Sequence, residues 1–283
     1  MGTISRTGRG SSKANTGQDV RPPAVAGQFY PSSPRLLRAD VEGYLADVAL
    51  PAVEGADPDA PKALIAPHAG YMYSGPVAAS AYARIAHRRG SVERVVLLGP
   101  SHRVPLEGLA VPHHAAFETP LGTVPLDRPA IERALALPQV HLSDAAHALE
   151  HSLEVHLPFL QMVLGDFHLV PFSVGDATAA EVEEVLELLW GGPETLIVVS
   201  SDLSHYYDYD TARRLDAETT EAIVALAPER LGPESACGRV PARGLLRAAR
   251  RHGLCGRAVD VRNSGDTAGP RDQVVGYGSY VFG

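Results

Sequence analysis

A chain of 283 residues, 45% of them hydrophobic, can bury an ordinary core in one large domain or two small ones. Its net charge of −8 falls on the body of the chain, because the first 21 residues carry four basic groups against one acidic, and this argues against nucleic-acid binding. Two cysteines, Cys237 and Cys255, exclude a disulfide scaffold, and no run reaches the ~18 apolar residues of a membrane span, so a cytoplasmic protein without a membrane partner is expected.

Residues 1–20 contain no apolar stretch of a secretory signal, and Arg6 stands where a myristoylation motif needs Ser or Thr. They read as a disordered tail ahead of one domain, 21–283. Ala63–Ala66 is a short buried strand, and Ser74 with Gly75 and Pro76 opens the helical pattern VAASAYARIAHRR. Val95–Leu98 is the next strand, and Asp127 with Pro129 opens a helix over AIERALAL. Asp144 precedes the helical stretch AAHALEHSLEVHLPFLQMVL, which Pro158 should end or kink. Strands at Leu169–Val174 and Leu196–Val199 alternate with amphipathic helices from Ala177 to Trp190 and from Tyr209 to Leu226. A further helix, RVPARGLLRAARR, sets Arg243, Arg247, Arg250 and Arg251 mostly along one side, as a solvated face would. The closing VVGYGSYVF alternates like a strand at an edge or in the middle of the sheet. Alternation of buried strands with helices predicts a single α/β domain with a central mixed or parallel sheet flanked by helices.

Three of the strands end alike. After Ala66 comes Pro67-His68-Ala69-Gly70, after Leu98 comes Gly99-Pro100-Ser101-His102, and after Val199 comes Ser200-Ser201-Asp202-Leu203-Ser204-His205. Ligands bind at the carboxyl edge of open α/β sheets, so three histidines delivered there converge on one small volume. Neutral imidazole is a common ligand of iron, copper and zinc. Asp202, three residues before His205, either orients that ring or caps the next helix. Glu150-His151-Ser152-Leu153-Glu154-Val155-His156 resembles a zincin helix only superficially, because His151 and His156, five apart, diverge by roughly 140° on a helix. His151 and Glu154 would share a face and offer a proton-transfer group, a hydrogen-bonding wall or an ordinary polar surface. Cys237, just before a helix start, has the setting of a dipole-stabilised thiolate suited to ligation or reactivity. Cys255 has no such setting. The pattern reads as one metal site of His68, His102 and Cys237, with His205 close by.

The stretches RPPAVAGQFYP, APHAGYMYSG, GPSH, FETPLG, EHSLEVHLPFL, SSDLSHY, ACGR and VVGYGSYVF, in this order from Arg21 onward, resemble the Memo family. Its bacterial members are also called AmmeMemoRadiSam system protein B. The resemblance implies a fold similar to the class III extradiol dioxygenases, non-haem iron enzymes that open catechol rings. It also implies an iron or copper site in which family histidines match His68, His102 and His205 and a family cysteine matches Cys237. Ring-opening dioxygenases use two histidines and a carboxylate on Fe(II); a thiolate donor is softer and favours copper or a redox role. The family name further implies an AMMECR-domain protein and a radical-SAM enzyme as partners.

The leading expectation is therefore redox or oxygenase-like chemistry on a small molecule, with His205 as fourth ligand or acid/base and with His151 and Asp202 as further catalytic candidates. A metal-carrying or scaffolding component of a modification system is the non-enzymatic alternative. A zinc-dependent hydrolase using His151 or His205 and nucleophilic catalysis by Cys237 with His205 are two more. No G-x-S-x-G elbow of a serine hydrolase is present.

Overall fold

The computed structural model describes residues 20–49 and 61–283. The expected tail falls outside the described residues except for Val20, which opens the first strand. Strand β1 (Val20–Arg21) and helix α1 (Pro34–Ala46) lead to β2 (Ala63–Ala66), α2 (Tyr71–Tyr82) and β3 (Arg94–Pro100). Three short strands follow, β4 (Leu109–Val111), β5 (Ala116–Thr119) and β6 (Gly122–Pro125), then α3 (Arg128–Ala134), β7 (Val140–Leu142), α4 (Ala145–Ala148) and α5 (Leu157–Leu164). The second half runs β8 (His168–Val174), α6 (Ala179–Leu189), β9 (Thr195–Ser200), β10 (His205–Tyr207) and α7 (Tyr209–Val224). It closes with α8 (Arg239–Arg251), β11 (Gly256–Asn263), α9 (Ser264–Thr267) and β12 (Val274–Phe282).

The main sheet has the order β10-β12-β2-β9-β3-β8-β4-β7, with β11 also on β12. Its centre, β2-β9-β3-β8, is parallel, so four strands finish at one edge. Every residue of β2 and β9 is buried, as the uninterrupted ALIA and LIVV runs require when helices cover both faces. The closing strand lies inside the sheet rather than at an edge: β12 is antiparallel to β2 on one side and to β11 on the other. Helix α8 packs against β3 and β9 and carries α6 on its side, and α2 packs on β2 and β12 beneath α1. The architecture is a mixed α/β sheet flanked by helices, as expected. Among the described residues no helix is long and apolar enough to cross a membrane.

Two helix expectations are corrected. Helix α2 begins at Tyr71 instead of Val77, because the Gly70 carbonyl already accepts the Tyr73 and Ser74 N–H groups. Pro76 thus sits inside the helix, at the loss of one backbone bond. Gly75 beside it admits the Tyr44 ring of α1, since a Cβ there would stand 2.7 Å from a ring carbon.

The stretch 145–164 is not one helix. It breaks after α4, passes through a single 3₁₀ turn at Glu154–His156, and resumes as α5. The Glu150 carboxylate bonds the N–H groups of His151 and Ser152 and so competes with helix formation. Pro158 then starts a helix rather than ending one, in its second position, where no backbone N–H is needed. With the helix broken, His151, Glu154 and His156 are not placed by α-helical spacing.

The α8 arginines are partly exposed but mostly engaged. Arg247 and Arg251 reach Glu183 of α6 at 2.6 and 2.9 Å, and Arg243 donates to the Pro228 carbonyl at 2.9 Å.

Candidate metal centre

The chain leaves β2 into His68 and β3 into His102, and it leaves β9 into Asp202 and His205, all at the shared carboxyl edge. Backbone bonds stitch this edge: Ser201 N–H donates to the Ala66 carbonyl, and Ser101 N–H to that of Val174. The segment released by the broken helix brings His151 to the same place. Together these residues line a cavity of about 600 Å³, which Cys237, Phe29 and Tyr206 also reach.

The imidazoles are held from behind. Ser200 Oγ donates to the Ser152 carbonyl at 2.6 Å and lies 2.5 Å from His68 Nδ1. With its only proton engaged, Ser200 must accept from Nδ1–H, which leaves His68 Nε2 unprotonated toward the cavity. The Glu150 carboxylate does the same for His102, taking its backbone N–H at 2.6 Å and its Nδ1–H at 3.0 Å. Burial pushes Glu150 up, but hydrogen bonds from His102 and Ser152 outweigh it and bring the carboxyl down to about 2. A carboxylate behind a histidine is the usual way to fix a metal ligand's tautomer.

His151 stacks on His102 with ring centroids 4.8 Å apart, and Phe29 lies 4.7 Å from the His151 ring. One ring nitrogen from each of His68, His102 and His151 falls within 4.8 Å of the others, the one such group among the described residues. Burial drives His151 down to about 4 and His68 well below its ordinary value, so both rings are neutral at neutral pH. His151 Nδ1 is buried and has no hydrogen-bond partner. Neutral nitrogens facing one volume fit a borderline cation such as iron, copper or zinc.

Cys237 adjoins this group on the His68 side, its Sγ 3.3 Å from His68 Nε2. With metal–nitrogen bonds of about 2.0–2.1 Å and metal–sulfur bonds of about 2.3 Å, two ligands of one ion lie roughly 3–3.6 Å apart. The Cys237–His68 distance has that size. The dipole-lowered thiol expected from sequence is not found: burial and the nearby Asp202 carboxyl push Cys237 up to about 12. The N–H of Gly238, at the start of α8, is turned to Ser201 Oγ.

Asp202 neither orients His205 nor caps a helix. Its carboxylate accepts the His68 backbone N–H at 2.8 Å and comes within 4.0 Å of His68 Nε2, while Asp208 caps α7. Burial pushes the Asp202 carboxyl up to about 7. His205 lies on the cavity wall at the start of β10, and its burial lowers it. The next residue, Tyr206, is exposed with φ of 64°, a conformation non-glycine residues rarely adopt.

The expected partnership of His151 with Glu154 is replaced. Glu154 is fully buried against Arg21 and the chain around Ala24 and Tyr30, and His156 faces the Tyr82 hydroxyl at 2.7 Å. Sequence reading missed Glu150 and Ser200 as the groups that orient the imidazoles. The acid adjoining His151 was the available signal, hidden by the assumption of a helix.

The family profile described as Memo-like protein matches residues 21–281. A MEMO1 family protein of Ignicoccus hospitalis is 38% identical over 284 aligned residues, covering 93% of this chain and 98% of its own. One from Aquifex aeolicus is 38% identical over 274, covering 93% and 99%, and one from Thermotoga petrophila is 36% identical over 278, covering 93% and 99%.

Proposed function

The chain belongs to the Memo family, and we propose that it is a metal-dependent redox protein in which His68 and His102 anchor one iron or copper ion. His151 and Cys237 are the further donors, one on either side. The observation that carries this reading is the pair of imidazoles whose tautomers are fixed from behind, by Ser200 and by Glu150, so that both present Nε2 to one volume. A bound iron or copper ion would supply Lewis acidity and a redox couple; zinc would supply only the first.

The chain's own groups do the rest. Asp202, with its carboxyl near 7, can hold or release a proton close to His68 Nε2. His205 offers a second acid/base on the cavity wall, and Phe29 shields the His151 ring. The cavity has the size of a small-molecule site. The family's likeness to extradiol dioxygenases supports oxygenase-like chemistry, whereas imidazole and thiol donors depart from the two-histidine, one-carboxylate set of ring cleavage. An AMMECR-domain protein and a radical-SAM enzyme are the partners this reading carries from the family name, and a metal-carrying role beside them is the alternative.

Metal analysis of anaerobically purified protein tests the assignment. Cys237→Ala is expected to lose most of the bound iron or copper. Unchanged metal content in that variant removes the thiolate from the ligand set. Zinc alone, with ester or amide turnover, would favour the hydrolase instead.

A further inference from the structure

Segment 150–154 touches all three imidazoles. Glu150 orients His102, His151 belongs to the segment, and the Ser152 carbonyl receives the Ser200 hydroxyl that holds His68. What fixes the segment lies on its far side. Arg21, 1% exposed, donates from Nη2 to the Glu150 carbonyl, from Nε to the His147 carbonyl and from Nη1 to Glu154, each at 2.7 Å. The Glu154 carboxylate also takes the N–H groups of Ala24 and Val25 and the Tyr30 hydroxyl. The strap that begins at Arg21 then reaches the other side of the site, where the Phe29 carbonyl accepts the Tyr71 N–H at 2.7 Å, three residues after His68.

A buried guanidinium is expensive to desolvate, and apolar side chains would serve simple packing as well. What only the planar fork supplies is a fixed direction to several acceptors at once. We propose that Arg21 is a positioning residue of the metal centre. Its bonds to two backbone carbonyls and Glu154 set the place of Glu150, and through Glu150 the ring orientation of His102 and the position of His151. The part of this proposal that concerns metal affinity rests on the function proposed above. The part that concerns ring orientation does not.

The test uses the full chain and Arg21→Lys, which keeps a charge for Glu154 but cannot reach both carbonyls in the same fork. Two readouts are taken: Co(II) titration followed by its visible spectrum, and ¹⁵N shifts of the histidine rings in metal-free protein. Arg21→Lys is expected to weaken Co(II) binding by about 10-fold or more, as loss of groups behind a ligand does, and to shift the visible bands. Its His102 ring should leave the single Nδ1–H tautomer for a mixture. Tyr30→Phe, which removes one bond on the outer side of Glu154, should move neither readout. Should Arg21→Lys yield no folded protein, Glu154→Gln is measured in its place, with a smaller change in the same direction expected.

Wild-type His102 shifts and Co(II) behaviour in the folded variant would overturn the proposal, as would an equal effect of Tyr30→Phe. If the wild-type chain takes up no Co(II), the metal reading falls, and the ¹⁵N shifts alone still decide for or against Arg21.

Discussion

Glu150 gathers four donors on one carboxylate: the backbone N–H and ring Nδ1–H of His102, and the backbone N–H groups of His151 and Ser152. Such a residue cannot be read from spacing, because its partners lie 48 positions apart in the chain as well as next door. The histidines were legible for the opposite reason. Each follows an apolar run whose end is visible in sequence, so strand ends locate His68, His102 and His205 without knowledge of packing. Cys237 was legible as a candidate, but its thiol was not, since burial and Asp202 act through space and outweigh the local helix start. Glu150→Gln places an amide where the carboxylate accepted several bonds, so it leaves donors unpaired and frees the His102 tautomer. It is expected to weaken metal binding about 10- to 100-fold, measured by competition with a chelator of known affinity. Affinity within twofold of wild type would show that His102 needs no carboxylate behind it.

At the level of elements, the parallel centre of the sheet followed directly from its uninterrupted apolar runs, and α6 and α7 from their amphipathic pattern. The stretch from Ala145 to Leu164 misled because its helical periodicity is real at both ends and fails only where Glu150 bonds the backbone. Tertiary contacts with Arg21 and Ser200 then hold the break open. A second junction is equally tight. Gly238 joins Cys237 to α8 and passes so near β9 that an added Cβ would stand 2.3 Å from the Ser200 carbonyl oxygen and 2.6 Å from Ser201 Cβ. Backbone cannot yield there cheaply. Gly238→Ala is expected to destabilise the protein by about 2 kcal/mol, the usual cost of overpacking, and to disturb the Ser200 support of His68. Urea denaturation checks this: a midpoint equal to wild type would mean that the junction relaxes freely.

Across the whole molecule, several histidines are buried in neutral form. Burial lowers His147 and His151 to about 4 and His156 to about 3, with His68 also well below the ordinary 6.5. Between those values and 6.5 the unfolded chain binds protons that the folded chain refuses, so stability falls as pH falls through that window. Asp202 acts in the opposite sense: it keeps its proton in the fold up to about 7, so its burial costs stability as pH rises. Asp216, raised by its burial, acts in the same sense as Asp202, but five lowered histidines, His205 among them, outweigh the two carboxyls. The melting temperature of the metal-free protein is therefore expected to drop steadily as the pH is lowered from about 7 toward 4, and a flat profile would mean that these rings are protonated or hydrated in the fold.

The metal reading stands or falls at the carboxyl edge of the sheet. Metal content per chain, measured on anaerobically purified wild type and His68→Ala side by side, tests it most directly. The proposed function predicts close to one iron or copper ion per wild-type chain and its loss in His68→Ala. A wild-type chain that carries no ion and takes none up on titration, or a His68→Ala variant that keeps its full complement, would contradict it.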